Sequence, residues 1–441
     1  MKNIGIKIPE ILLPYNQVDY FKWAIVACDQ FTSQPDYWSE VEKIVNDEVS
    51  TLNLIFPEVF LKQNEEDIEK RIQIINDTME EYLQKNILER QKPGFIYTER
   101  TTKESGKRKG LILSVDLEKY EFQKGSKSLI RATEDTIIER LPPRVKIRKN
   151  ASIEIPHIML LIDDPKDSIF SIISDNLNSL EKLYDFDLMK GGGNLKGYSV
   201  QNSKVIDKII EGFSELATEE VFKKKYNTEE DVLLFAVGDG NHSLATAKLH
   251  WENIKKNSIN ENLLDHPSRY ALVEVVNLHD SGLKLSPIHR VIFNIDEENL
   301  YKNLLKYLEN RNVEFNSTDV EDIRNISEDK INSNEFIFTT NNYNKVLRIN
   351  NMEESLIVTI VEDFIQNFIK NNLKADVDYI HGEEETIKLA RVKNNAGIIL
   401  PSIEKSSLFK TVINDGKLPR KTFSMGEANE KKYYVESRMI K

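Results

Sequence analysis

Between residues 237 and 244 the chain reads Val-Gly-Asp-Gly-Asn-His-Ser-Leu. An apolar run, Val232–Val237, leads into it and an amphipathic segment leaves it. Gly238 and Gly240 permit close backbone approach and unusual dihedrals. A helix starting at Asn241 would point its first amides outward without partners, and its dipole would favour an anion there. Asn241, His242 and Ser243 add side-chain donors, so the geometry suits a phosphate. Asp239 is the odd member, because a carboxylate beside a phosphate needs a cation between them. Mg²⁺ is the natural bridge, as it takes carboxylate and phosphate oxygens together. A plainer alternative fits the same residues: Asp239-Gly240 as a tight turn and His242 as a helix cap. Neither the Walker pattern nor a dinucleotide fingerprint is present.

Other groups could converge on this turn. Arg131, Arg140 and Arg144 lie in one short region around Pro142-Pro143, and arginines suit phosphate recognition. The alternative is a surface ion-pair network with Glu134, Asp135 and Glu139. Glu134 is a candidate general base. His289 and Arg290 sit just ahead of an expected strand, where they could reach a ligand or serve the structure. The loop Lys417–Thr422 is basic and either clamps a phosphate or offsets nearby acids. The seven histidines show no His-x-x-x-His spacing, so zinc has no support. His157 is expected to be packed, and the three tryptophans to be core or interface residues.

The elements that must position these groups follow from periodicity. The run 232–237 reads as a central strand buried on both faces, followed by a helix over 241–256. Helical spacing of Ile68, Ile72, Ile75, Met79 and Tyr82 predicts a helix over 65–88. A strand is expected at 23–28, with a helix capped by Ser33 after it. Residues 95–116 read as a hairpin, 158–162 and 270–276 as strands, and 165–225 as two helices around Gly191–Gly193. Helices are expected near 297–310 and 352–372. Strand, helix, strand and helix alternate from 375 onward. At roughly 100–200 residues per domain, 441 residues suggest two or three domains. The divisions read from the pattern are 1–125, 126–295, 296–370 and 371–441. A net charge of −12 argues against coating nucleic acid. One cysteine gives no support for secretion, and neither a signal peptide nor a membrane span is apparent. A cytoplasmic protein is expected, and a homo-oligomer is compatible with it.

Several strings together resemble a bacterial and archaeal family catalogued as a domain of unknown function, with an Asp-Gly-His-His-Arg-type motif. They include Trp23–Gln30, Ser33–Trp38, Leu129–Glu134, Glu139–Arg144, Pro156–Met159, Val237–Lys248, His266–Tyr270, Pro287–Arg290 and Pro419–Gly426. Through that motif the family is similar to the ParB/sulfiredoxin superfamily, one branch of which phosphorylates free serine with ADP or ATP. The resemblance implies a mixed α/β fold with a ParB/sulfiredoxin-like core over 126–295 and additional α/β subdomains. Asp239 and Gly240 match the Asp-Gly, and His242 the second His. Asn241 replaces the first His and Ser243 the Arg, so Arg131, Arg144 or Arg290 would have to compensate.

The expected activity is a nucleotide- and Mg²⁺-dependent phosphotransfer to a small hydroxylated metabolite, with serine or phosphoserine leading. Asp239 would hold metal or orient the hydroxyl, His242 would assist and Glu134 would be the base. Gly238, Gly240, Asn241, Ser243, Arg131, Arg140, Arg144, His289 and Arg290 would bind phosphate or nucleotide. The alternative is a nucleotide-binding switch or scaffold without turnover. Sulfiredoxin-like redox repair ranks last, since the turn holds no cysteine.

Overall fold

The computed structural model describes residues 3–134, 141–258, 263–321, 323, 331–350, 357–419 and 421–441, with the backbone alone for 62 and 141–143. The fold is mixed α/β. The chain gathers into two units: residues 1–283 with 425–441, and residues 284–424. The sequence pattern suggested four segments. Strands from both sides of residue 125 share one sheet, and strands from both sides of 295 and 370 share the other.

The first unit is built on a sheet whose main strands are β1 (Phe95–Thr102), β2 (Gly106–Asp116), β3 (Tyr120–Glu121), β4 (Ile130–Ala132), β5 (Met159–Ile162), β6 (Glu181–Leu188), β7 (Gly193–Val200), β8 (Phe235–Asp239) and β9 (Tyr270–Asn277). Their order is β6-β7-β1-β2-β9-β5-β8-β4-β3. β1 and β2 form the expected hairpin. β8 lies between β5, antiparallel, and β4, parallel, with Val237 facing Leu160 on one side and Ala132 on the other. Its residues 235–237 are buried, as a continuous apolar run requires. The strand begins at Phe235, three residues later than the apolar run.

The longer helices of this unit are α1 (Pro35–Val45), α2 (Glu65–Gln84), α3 (Leu141–Asn150), α4 (Ser168–Asn176), α5 (Ser203–Leu216), α6 (Glu219–Tyr226) and α7 (Asn241–Asn257). α1 is preceded by Gln34 and opens on Pro35, with no side-chain cap; Ser33 is not its cap, because proline's fixed φ sets the first turn instead. Residues 23–28 hold only a two-residue strand, Ile25–Val26. The stretch 165–225 contains a hairpin, β6–β7, besides its helices. Gly191–Gly193 falls at that hairpin's turn, and a Cβ on Gly193 would lie 2.1 Å from the Thr101 carbonyl oxygen. α3 carries Pro142-Pro143 in its first turn, where no amide donor is needed.

The second unit holds an antiparallel sheet, with β10 (Leu285–Phe293) between strands Asp376–His381 and Ala396–Ile399. Helices Glu297–Asn310 and Ile357–Asn371 bury Leu300, Leu304, Val361 and Phe364 in its core. Helix Glu383–Ala390 starts with three glutamates, which suit the positive end of its dipole.

The last residues of the chain belong to the first unit and are fastened there by charge. Arg438 donates to Glu154 Oε1 from Nε at 2.9 Å and from Nη2 at 2.8 Å. Glu154 also accepts from Arg148 at 2.6 Å and from the Leu272 amide at 2.8 Å. Both of its oxygens are thus engaged in the interior by charged or backbone donors, the condition under which a buried ion is tolerated. Removing one partner leaves the rest unbalanced. Arg438→Ala is expected to lower the free energy of unfolding by about 3 kcal/mol, measured by urea titration; an unchanged midpoint would contradict this role.

Candidate functional site

At the end of β8 the chain turns directly into α7. Gly240 makes the turn with φ of +78°, a conformation that L side chains resist. A Cβ there would also lie 2.9 Å from Ile158 Cα. Gly238 serves packing rather than dihedral freedom, since its Cβ would meet Met425 Sδ at 2.7 Å and Leu161 Cγ at 2.8 Å. The first bond of the helix runs from the Leu244 amide to the Gly240 carbonyl, and Gly240 has no side chain to cap it. The amides of Asn241 and Ser243 therefore have no acceptor within the helix. The buried Oδ1 of Asn241 has no hydrogen-bond partner among the described residues.

Asp239 is held from two directions. Its Oδ1 accepts the Gly240 amide at 2.9 Å, and its Oδ2 faces Lys431 Nζ at 3.2 Å. Lys431 comes from the C-terminal segment and its side chain is largely buried. The positive charge that Asp239 calls for is thus supplied first by an ammonium. Among the described residues no group of three or more His, Cys, Asp or Glu could hold a metal. Asp239 offers the single carboxylate that Mg²⁺ riding on a phosphate would need, in competition with Lys431.

The other predicted residues divide. Arg144, on α3, pairs with Glu58 and lines the same cavity as Ser243. Glu134 follows β4 at the end where Ala132 faces Val237. There Thr133 donates from Oγ1 to the Val237 carbonyl at 2.7 Å. His242 stands in the first turn of α7, half-buried. Arg131 does not serve the turn. Its Nε donates to the Ser128 carbonyl at 2.9 Å and its Nη2 to the Asp231 carbonyl at 2.6 Å, ahead of the start of β8. It ties strands together. Arg140 lies outside the described residues. His289 and Arg290 are inside β10 rather than before it, in the second unit, and both are 0% exposed. His289 Nδ1 accepts the Leu400 amide, and Arg290 pairs with Glu362 at 3.2 Å. These bonds hold the interior of that unit.

Residues not singled out from the sequence complete the site. His157, expected only to be packed, is buried with one ring nitrogen hydrogen-bonded and the other at ion-pair distance from a carboxylate, without a hydrogen bond among the described residues. Tyr434 Oη lies 2.7 Å from Nδ1, and Asp29 Oδ2 lies 3.4 Å from Nε2. Tyr434 Oη in turn accepts the Cys28 amide at 3.2 Å. Asp29 stands just after an apolar run and His157 just before β5, both inside strings that carry the resemblance. Lys431 and Tyr434 gave no signal, being some 190 residues from the turn in sequence. The arrangement can hold an anion at the head of α7, flanked by Lys431 and by a histidine whose pKa Asp29 raises.

A family model described as "Protein of unknown function (DUF1015)" matches residues 12–377. No curated protein matches the chain. Among solved structures, a conserved hypothetical protein from Pyrococcus furiosus is similar at 10% identity and a TM-score of 0.34, over 74% of this chain and 90% of that one. A free serine kinase in complex with AMP is similar at 10% identity and a TM-score of 0.38, over 77% and 95% of the two chains. SbnI from Staphylococcus aureus, truncated at its C-terminus, is similar at 7% identity and a TM-score of 0.35, over 71% and 82%. No helix among the described residues is long and apolar enough to cross a membrane.

The His157–Asp29 pair carries a pH signature. Burial disfavours the imidazolium, but Asp29 and then Asp239 outweigh it and raise the His157 pKa above 6.5. Burial likewise opposes the Asp29 charge, and His157 overrides it, holding that carboxyl well below its usual range. A histidine raised on folding stabilises below its unfolded pKa, and loses that contribution as pH rises through the folded value. The lowered aspartate stabilises above its unfolded value of about 3.8. The stability advantage of the native chain over Asp29→Asn is therefore expected to be fullest between about pH 4 and 6.5, and to shrink on raising pH beyond that. Thermal melts across pH 4–9 measure it; a gap that widens above pH 7 would sink the ion pair.

Proposed function

We propose, for a chain that belongs to the DUF1015 family of proteins of unknown function, that the β8–α7 turn seats a phosphoryl group during its transfer to a hydroxyl. The donor would be ATP or ADP, and the acceptor a small hydroxylated metabolite, with free serine the first to test. Hydrolysis of the phosphorylated product would use the same seat with water as the acceptor, the P–O bond to the metabolite breaking and inorganic phosphate leaving. The observation that carries this reading is the pairing of Asp239 with Lys431 beside the uncapped head of α7.

Phosphoryl transfer asks little covalent chemistry of a protein and much positioning and charge neutralisation. The amides of Asn241 and Ser243 would point at the phosphoryl oxygens, and Gly238 and Gly240 let the turn pack closely enough against Leu161, Met425 and Ile158 to set them there. Lys431 would shift from Asp239 Oδ2 to a phosphoryl oxygen, which frees that carboxylate to orient the acceptor hydroxyl. The acceptor oxygen bonds phosphorus as the bond to the leaving nucleotide oxygen breaks, and the hydroxyl proton passes to a carboxylate, Glu134 or Asp239. His242 and Arg144 would add charge and hydrogen bonds nearby. Mg²⁺ would come with the nucleotide, be held by Asp239, and neutralise phosphate charge.

The test is turnover of ATP or ADP with Mg²⁺ and serine, followed by phosphorus NMR of the product. Asp239→Asn and Lys431→Met are each expected to lower kcat by about a hundredfold or more, on the scale of a lost proton-transfer or charge-stabilising group. Arg131→Met should cost stability and leave KM for nucleotide in place. Nucleotide binding without turnover in the native chain, abolished by Asp239→Asn, would replace this reading with that of a nucleotide-binding switch. Full activity in both site variants would contradict both readings.

A further inference from the structure

A cavity of about 140 Å³ lies within the first unit, and Ser243 and Thr246 of α7 are among its lining residues. Much of its wall is hydrocarbon, from Ile55, Phe56, Leu61, Met79 and Ile147. The remainder includes Arg144, Arg148 and His157. A cavity of about 150 Å³ with apolar walls accepts benzene, so the space fits a ring or a branched chain of five or six carbons.

The polar lining adds a second, independent sign. Arg144 and Arg148 stand four apart on α3, which places both on one helical face. Among the described residues each has one salt partner, Glu58 and Glu154 respectively. Each also keeps a buried nitrogen, Nη1 of Arg144 and Nε of Arg148, with no hydrogen-bond partner among the described residues. Buried donors without an acceptor are rare. Two of them on residues that line one cavity call for an acceptor beyond the described residues, and a bound anion in the cavity would supply it. Glu58 and Glu154 are already paired, and burial with Asp29 and Glu58 nearby pushes the Cys28 thiol up to about 12, so it is neutral. An anionic head group therefore meets guanidinium rather than carboxylate.

We infer that this cavity takes a small amphipathic anion, with an apolar body no larger than a benzene ring and a phosphate or carboxylate head beside Arg144 and the first turn of α7. The inference rests on the phosphoryl-seating reading for its phosphate form, and it narrows the acceptor. Serine has no such body, so the favoured acceptor is an alcohol or phenol that carries one, and the favoured product its phosphate ester.

Calorimetric titration of the full chain with phenyl phosphate, benzoate and inorganic phosphate tests this. Phenyl phosphate is expected to bind about tenfold tighter than inorganic phosphate or more, as burial of a ring predicts. Ala151, which also lines the cavity, offers a way to fill it. Ala151→Leu should erase that gain and leave inorganic phosphate binding unchanged. Met79→Ala, which enlarges the cavity, should instead improve binding of naphthyl phosphate relative to phenyl phosphate. Equal affinities for phenyl and inorganic phosphate in the native chain overturn the cavity assignment and leave the phosphoryl reading standing. Tight benzoate with no binding of either phosphate supports the cavity and removes the phosphoryl reading. No binding of any of the three overturns both. A gain that survives Ala151→Leu, with Met79→Ala also without effect, places the ring elsewhere and overturns the inference.

Discussion

One carboxylate organises the first unit. Asp239 ends a strand buried between two neighbours, and it must be neutralised where it stands. The Gly240 amide satisfies one oxygen and Lys431 the other. Satisfying it constrains distant parts of the chain. Gly240 must adopt a left-handed conformation for the turn to bring its own amide back, and Gly238 must lack a side chain for Leu161 and Met425 to close over the strand. Lys431 must come back from the far side of 141 residues that form another unit, 284–424. The return is secured by further buried ions, Arg438 on Glu154 and Lys432 between Glu274 and Glu436 at 3.5 and 3.0 Å.

Such a site is balanced rather than inert. Asp239–Lys431, Asp29–His157 and Arg144–Glu58 are three oppositely charged pairs close to one helix head. Each cation is paired with its own carboxylate, and each could exchange that partner for an incoming phosphate. Exchange of this kind is how a partly buried site offers strong electrostatics without bearing an unpaired charge beforehand.

The sequence made the strand-to-helix turn legible because local rules govern it: an apolar run, two glycines and an amphipathic helix in succession. The hairpin at 95–116 and the helices at 65–84 and 241–257 follow the same logic of periodicity. What escaped was set by distance. Nothing local to Lys431 or Tyr434 announces that they meet Asp239 and His157. The arginines were misjudged for a related reason. Arg131 is buried along a strand, where its guanidinium is drawn to backbone carbonyls. Arg290 points into the interior of the second unit and pairs with Glu362. Arg144 does stand beside the cavity, on the helix that the Pro-Pro segment starts. The hairpin β6–β7 was legible in part, since Tyr184-Asp-Phe-Asp-Leu188 alternates apolar and charged residues as a half-buried strand does.

The central claim is that the head of α7 binds phosphate. The most direct measurement is a ¹⁵N–¹H NMR titration of the full chain, selectively labelled at asparagine and serine, with ADP. The account predicts that the amide signals of Asn241 and Ser243 shift downfield with a common dissociation constant, and that Asp239→Asn or Lys431→Met alters that constant. Saturable ADP binding that leaves both amides unmoved would place the nucleotide elsewhere and contradict it.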